Sequence, residues 1–120
     1  MHNNQAVGKI GEEMAQNFLQ KKGYKILEKN FRTRFGEIDL IVSKVDHLRF
    51  VEVKTRVGTS KGMPYEAVNY YKIKHLQRAC QYFLLKKNLK NYKLSLDVIS
   101  IILKTNLEIE KIDFFENINS

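Results

Sequence analysis

Two short runs hold the residues that could do chemistry. They are Gly36-Glu37-Ile38-Asp39-Leu40-Ile41-Val42 and Phe50-Val51-Glu52-Val53-Lys54. Both read as strands, whose side chains alternate between faces with a period of two. In the first, Glu37, Asp39 and Ile41 share one face, and Ile38, Leu40 and Val42 the other. In the second, Phe50, Glu52 and Lys54 oppose Val51 and Val53. A hairpin at Val45-Asp46-His47 would join the two strands. Counted outward from that turn, Asp39 and Glu52 stand at matching distances, so their carboxylates can lie side by side. Such a pair repels unless a cation, a proton or a lysine sits between them. Lys54 follows Glu52 on the same face, about 7 Å along the strand. Hard oxygen donors of this kind suit Mg²⁺ or Mn²⁺ with several waters retained.

The surrounding elements must position this group. Val7, Ile10, Met14 and Phe18 follow helical spacing, and Ala15 and Leu19 widen the stripe. Gly23 is a stop signal for that helix. Two early glycines, Gly8 and Gly11, cost about 1 kcal/mol each in a helix, which close approach to another element would explain. Glu12 borders the apolar side and is a candidate third acid. Residues 24–31 read as an edge strand or extended arm, 37–43 and 48–55 as the two strands above, and 57–63 as a mobile loop. Pro64 suits the first turn of a helix running to about residue 87, with Val68, Leu76, Ala79, Cys80, Phe83 and Leu84 buried. Residues 94–103 read as a central strand and 107–114 as a last edge strand. Asp97 is either a site residue or half of a salt bridge with a lysine. The three histidines have no metal-ligand spacing and read as surface residues, His75 being placed where it could touch phosphate. Cys80 reads as core.

The 120 residues make one domain, 1–120, with 43% hydrophobic and 28% charged residues. No apolar run approaches the roughly 18 residues of a membrane span. The first residues lack the pattern of a signal peptide, and the single cysteine excludes an internal disulfide and a multi-cysteine zinc site. A cytoplasmic home is the simplest expectation. The chain has 21 Lys and Arg against 13 Asp and Glu, a net charge of +8. The excess lies in residues 54–93, with ten basic residues and one acidic. A basic middle of this kind suggests a polyanion partner, most often nucleic acid. Lys72, Lys74 and Arg78 would clamp a phosphate backbone from one helix, with Arg56 and Lys61 in a flexible lip.

Taken together, these motifs resemble the YraN-like bacterial proteins of the PD-(D/E)xK nuclease superfamily. The likeness rests on Gly8-Lys9-Ile10-Gly11-Glu12-Glu13-Met14-Ala15, on Asn30-Phe31-Arg32 and the two strand runs extended to Thr55-Arg56. Gly62-Met63-Pro64, Glu66-Ala67-Val68 and Lys72 complete it. It implies an α/β fold with a restriction-endonuclease-like core, a mixed central sheet flanked by helices, similar to Holliday junction resolvases. It also implies metal ligands at Glu12, Asp39 and Glu52, and a catalytic lysine at Lys54. The expected activity is Mg²⁺-dependent hydrolysis of DNA phosphodiesters, possible at branched DNA, in a chain that can pair as a homodimer. Leu94-Ser95-Leu96 departs from the family pattern of an arginine and an aromatic before the strand aspartate. A non-catalytic nucleic-acid-binding module of the same fold stays open as the alternative. So does a protein-interaction domain whose basic helix meets an acidic partner.

Overall fold

The computed structural model describes residues 2–118. The first helix, α1 (Asn4–Lys21), begins where the Asn3 side chain accepts hydrogen bonds from the Gln5 and Ala6 N–H groups. It buries Val7, Gly11, Ala15 and Leu19. The larger Ile10, Met14 and Phe18 flank that row half-buried, so the contact row is rotated from the stripe expected. Small residues set the contact. A Cβ at Gly11 would run into the Thr55 side chain, whereas Gly8 has open space around it. Close approach therefore accounts for Gly11 and leaves Gly8 without a packing reason.

Five strands form one sheet in chain order: β1 (Lys25–Thr33), β2 (Gly36–Lys44), β3 (His47–Val57), β4 (Lys93–Leu103) and β5 (Ile109–Phe115). β3 and β4 are parallel, and the other neighbouring pairs are antiparallel. This is a mixed α/β sheet, consistent with a restriction-endonuclease-like core. β1 and β5 are its edges, as their polar alternation suggested. Residues 94–103 form a central strand as expected, since β4 lies between β3 and β5 and pairs with both. Ser95 to Leu103 is buried throughout, so burial on both faces produced the β-branched pattern there.

The single helix expected over residues 64–87 is two elements. A 3₁₀ turn (Pro64–Ala67) comes first and α2 (Tyr70–Lys87) follows. Val68 leaves the helical path at φ −97° and ψ 89°, and the Asn69 side chain starts α2 by accepting from the Lys72 N–H. Val68 thus drops out of the helical stripe, whose buried members are Leu76, Ala79, Cys80 and Phe83. The loop read as mobile is cross-tied: Arg56 Nη1 donates to the Lys61 carbonyl, and the Met63 N–H donates to Glu66 Oε1.

α1 packs on Leu40, Val51, Val53, Ile99 and Ile101, and α2 packs on Ile41, Phe50 and Leu96. Alternate residues of β3 enter opposite layers, so the helices cover opposite faces. Strict alternation fails in β2. Ile38 joins Ile41 in the α2-side layer although they are three positions apart, so it does not share a face with Leu40 and Val42. Across from the break, Asn30 of β1 takes φ 50°. The β2–β3 ladder ends at Leu40 and Val51. β2 therefore parts from β3 at Asp39. No helix among the described residues is long and apolar enough to cross a membrane.

Candidate active site

Asp39 sits at this parting, and Glu52 is the next residue of β3 beyond the last paired position. Their carboxyls lie within hydrogen-bonding reach. Burial pushes the Asp39 carboxyl up to about 9, and the hydrogen bond and charge of Glu52 add to it. The charge of Glu12 adds again, while the Val53 N–H, donating to Asp39 Oδ2 at 2.8 Å, works the other way. Glu52 is almost wholly buried, and its Oε2 makes no hydrogen bond among the described residues. Two ammonium groups face that oxygen, Lys72 Nζ at 2.9 Å and Lys54 Nζ at 3.8 Å. The Lys72 contact is an ion pair without hydrogen-bond alignment. Glu12 reaches the group from α1 and accepts from Asn30 Nδ2 at 3.0 Å. A groove of about 640 Å³ runs past Glu12, Asn30, Arg32 and Glu37.

The basic residues divide. Lys72 belongs to the acid group, while Lys74 and Arg78 are exposed on α2. Lys72 and Lys74 are two positions apart, about 200° around a helix, so one face cannot carry all three cations. Arg56 and Lys61 meet through the loop bond already described. Asp97 is excluded from the site. It pairs with Val51 across the β3–β4 ladder, on the face opposite Glu52. Its salt bridge is with Arg49, not a lysine, at 2.9 Å and fully buried.

A sequence profile described as "Uncharacterised protein family UPF0102" matches residues 11–101. That covers most of the chain. The chain belongs to the UPF0102 family. A UPF0102 protein of Caldanaerobacter subterraneus is 41% identical over 96% of this chain and 95% of its own length. Another, from Clostridium acetobutylicum, is 42% identical over 95% of this chain and 93% of its own. The likeness to YraN-like proteins is therefore secure at the level of the UPF0102 family.

The UPF0102 chain can be tested for a divalent cation from its own atoms. Glu52 Oε2 is a buried carboxylate oxygen with no hydrogen bond, and Asp39 can ionise only against burial and a neighbouring carboxyl. A cation relieves both conditions. Mg²⁺ commonly takes one or two carboxylates and keeps its waters, so the Asp39–Glu52 pair fits it. Among the described residues no three His, Cys, Asp or Glu side chains gather closely enough to hold a metal. Glu12, engaged by Asn30, therefore stands beside the pair and not in a three-ligand cage. Sequence reasoning missed Asn30, whose signal was an asparagine opposite the strand aspartate. Tyr70 and Tyr71, adjacent exposed aromatics off the apolar stripe of α2 and next to Lys72, were not singled out by the sequence either.

Proposed function

We propose that this protein is a Mg²⁺- or Mn²⁺-dependent nuclease that hydrolyses DNA phosphodiester bonds, branched DNA included. One observation carries the reading: two carboxyls in mutual reach, Glu52 buried with an oxygen that has no hydrogen bond, beside Lys54. The resemblance to PD-(D/E)xK nucleases and Holliday junction resolvases supports it. Asp39 and Glu52 would hold the metal, which when bound supplies a water of lowered pKa and polarises the phosphate. The chain's own groups have separate tasks. The Val53 N–H fixes one oxygen of Asp39, so that carboxyl is oriented before anything binds. Glu12, held by Asn30, adds negative charge that favours a cation at Asp39. Lys54 offsets charge that develops on phosphate oxygens in the transition state. Lys72 holds Glu52 in place while no other cation does. Lys74, Arg78, Arg56 and Lys61 lie outside and would meet the phosphate backbone.

A second reading is a nucleic-acid-binding module without catalysis. The absence of a three-ligand cluster among the described residues favours it. A cleavage screen over branched, flapped and linear DNA, with Mg²⁺ and with Mn²⁺, separates the two. The nuclease reading expects cleavage that Asp39→Asn abolishes together with most Mg²⁺ binding. DNA binding without cleavage on any substrate selects the module. An Asp39→Asn variant that cleaves as fast as the parent removes Asp39 from the catalytic group.

A further inference from the structure

Two tyrosine rings stand in water at the start of α2, next in the chain to the lysine that reaches the acid group. Tyr70 is 66% and Tyr71 74% exposed, and their rings meet edge to face with centroids 5.6 Å apart. Lys74 Nζ lies 5.4 Å from the Tyr70 ring centre, so Tyr71 is the more open of the two. The next residue along the chain is Lys72, which reaches Glu52 at 2.9 Å. α2 carries five Lys and Arg residues and no acid. Its first turn holds Lys72, although cations are unfavourable at a helix N-terminus. Neither ring packs into the core, so the fold gives no reason for aromatics at this place.

We propose that Tyr70 and Tyr71 form a stacking platform for unpaired bases of the nucleic-acid strand whose backbone enters the Asp39–Glu52 site. This rests on the nuclease reading and narrows its substrate class. A continuous duplex keeps its base faces covered, whereas an overhang, flap or single strand offers them to a ring. The cations of α2 would track the phosphates while the rings take the bases. A second copy of this chain is the poorer occupant. A two-fold contact through these tyrosines would bring Lys74, which lies over the Tyr70 ring, toward its own duplicate, and like charges would oppose it. The preferred substrate then has unpaired nucleotides next to the bond that is cut.

The test measures affinity by fluorescence anisotropy with chelator present, so that nothing is cleaved. The probes are a labelled single strand, as DNA and as RNA of one sequence, and a blunt DNA duplex of equal length. Tyr71→Leu keeps an apolar side chain but no π-face. It should bind the single strand roughly tenfold more weakly, with duplex affinity unchanged, and Tyr71→Phe should match the parent. The strand that binds the parent more tightly identifies the sugar. Three results overturn the platform: equal loss on strand and duplex, no loss on either, or Tyr71→Phe as weak as Tyr71→Leu. A parent dimer in sedimentation that Tyr71→Leu dissolves would also overturn it, by assigning the rings to a second copy. If the platform alone fails, metal-dependent cleavage persists and Tyr71→Leu cuts flapped and blunt substrates at the parent's rates. If the parent binds no nucleic acid of any form, the nuclease reading falls and the platform with it.

Discussion

Asp39 is held where its charge is unwelcome, and that makes its effect on stability depend on pH. Its folded-state pKa is raised from the usual 3.8 to about 9 by burial and by Glu52. Between those values the folded state binds the proton and the unfolded state does not. Its contribution is fully present below the unfolded value and is lost as pH rises toward the folded one. Asp39→Asn removes this dependence and can still accept from the Val53 N–H. In chelator it should melt close to the parent near pH 4 and higher than the parent at pH 8, by at least about 1 kcal/mol. Parallel melting curves at all pH values would mean that Asp39 is ionised at no cost. Lys72 gives the complementary case. Lys72→Ala leaves Glu52 with Lys54 alone, between the cost of losing an exposed pair and a buried one, about 1–2 kcal/mol. Thermal melting without metal should show that loss, and Mg²⁺ should restore more stability to the variant than to the parent. Asp39, Glu52 and Lys54 were legible in the sequence because strand alternation and a hairpin count need only the local chain. Lys72 was misread because its partner lies 20 positions away. A lysine on an exposed helix and a lysine leaning onto a buried carboxylate look alike in one dimension.

The elements were read well where the pattern is local, and less well where a neighbour decides. The α1 stripe was placed on the large residues, but contact with Thr55 makes the small ones the inner row. The break at Val68 was hidden because Pro64 is a helix-starting signal and Asn69 is an equally good one six residues before His75. The parting of β2 from β3 was invisible to alternation, since nothing in 36–44 announces where pairing stops. The hairpin itself was found, and it is strained. Val45 joins β2 to β3 at φ 55°, with a side chain 92% exposed. A β-branched residue there costs about 1–2 kcal/mol and buries nothing in return. Val45→Asn should therefore raise the unfolding free energy by about 1 kcal/mol, read as a higher urea midpoint with an unchanged slope; a lower midpoint would mean that the valine makes a contact in solution. The two faces of α2 also differ measurably. Lys74→Ala and Arg78→Ala should each reduce the slope of log affinity for DNA against log salt by about one unit. Lys72→Ala should change it less, because in the free protein its charge is already matched by Glu52. Equal changes for all three would restore the single basic face that the sequence suggested.

At the scale of the whole molecule, one buried arginine joins segments far apart in sequence. Arg49 of β3 bonds Asp97 of β4 at 2.9 Å, Tyr24 ahead of β1 at 2.8 Å and Glu116 beyond β5 at 2.7 Å. Asp97 in turn accepts from the Asn117 N–H at 2.8 Å, and the Ile118 N–H donates to the Leu96 carbonyl at 2.9 Å. The C-terminal segment is thereby fastened to the sheet, with Ile118 packed against the α2-side layer and the Asp97 bond on the face that α1 covers. On the other face, Cys80 lies in the α2 layer, where burial pushes its thiol up to about 12 and keeps it unreactive. Cys80 lies on the face opposite the Arg49–Asp97 pair, so it can report whether the faces open together. Arg49→Met leaves Asp97 buried without its cation, which should cost about 3–5 kcal/mol. Asp97→Asn added to it should recover part of that, since the uncompensated charge is gone. If the sheet and its two layers unfold as one unit, alkylation of Cys80 by a small reagent should accelerate in Arg49→Met. The acceleration should correspond to the same free energy as the shift in denaturant midpoint. If Cys80 stays as protected as in the parent while the midpoint falls, the faces open separately. Arg49 would then stabilise only the C-terminal fastening, and the acid group on the α2 side would keep its geometry without it.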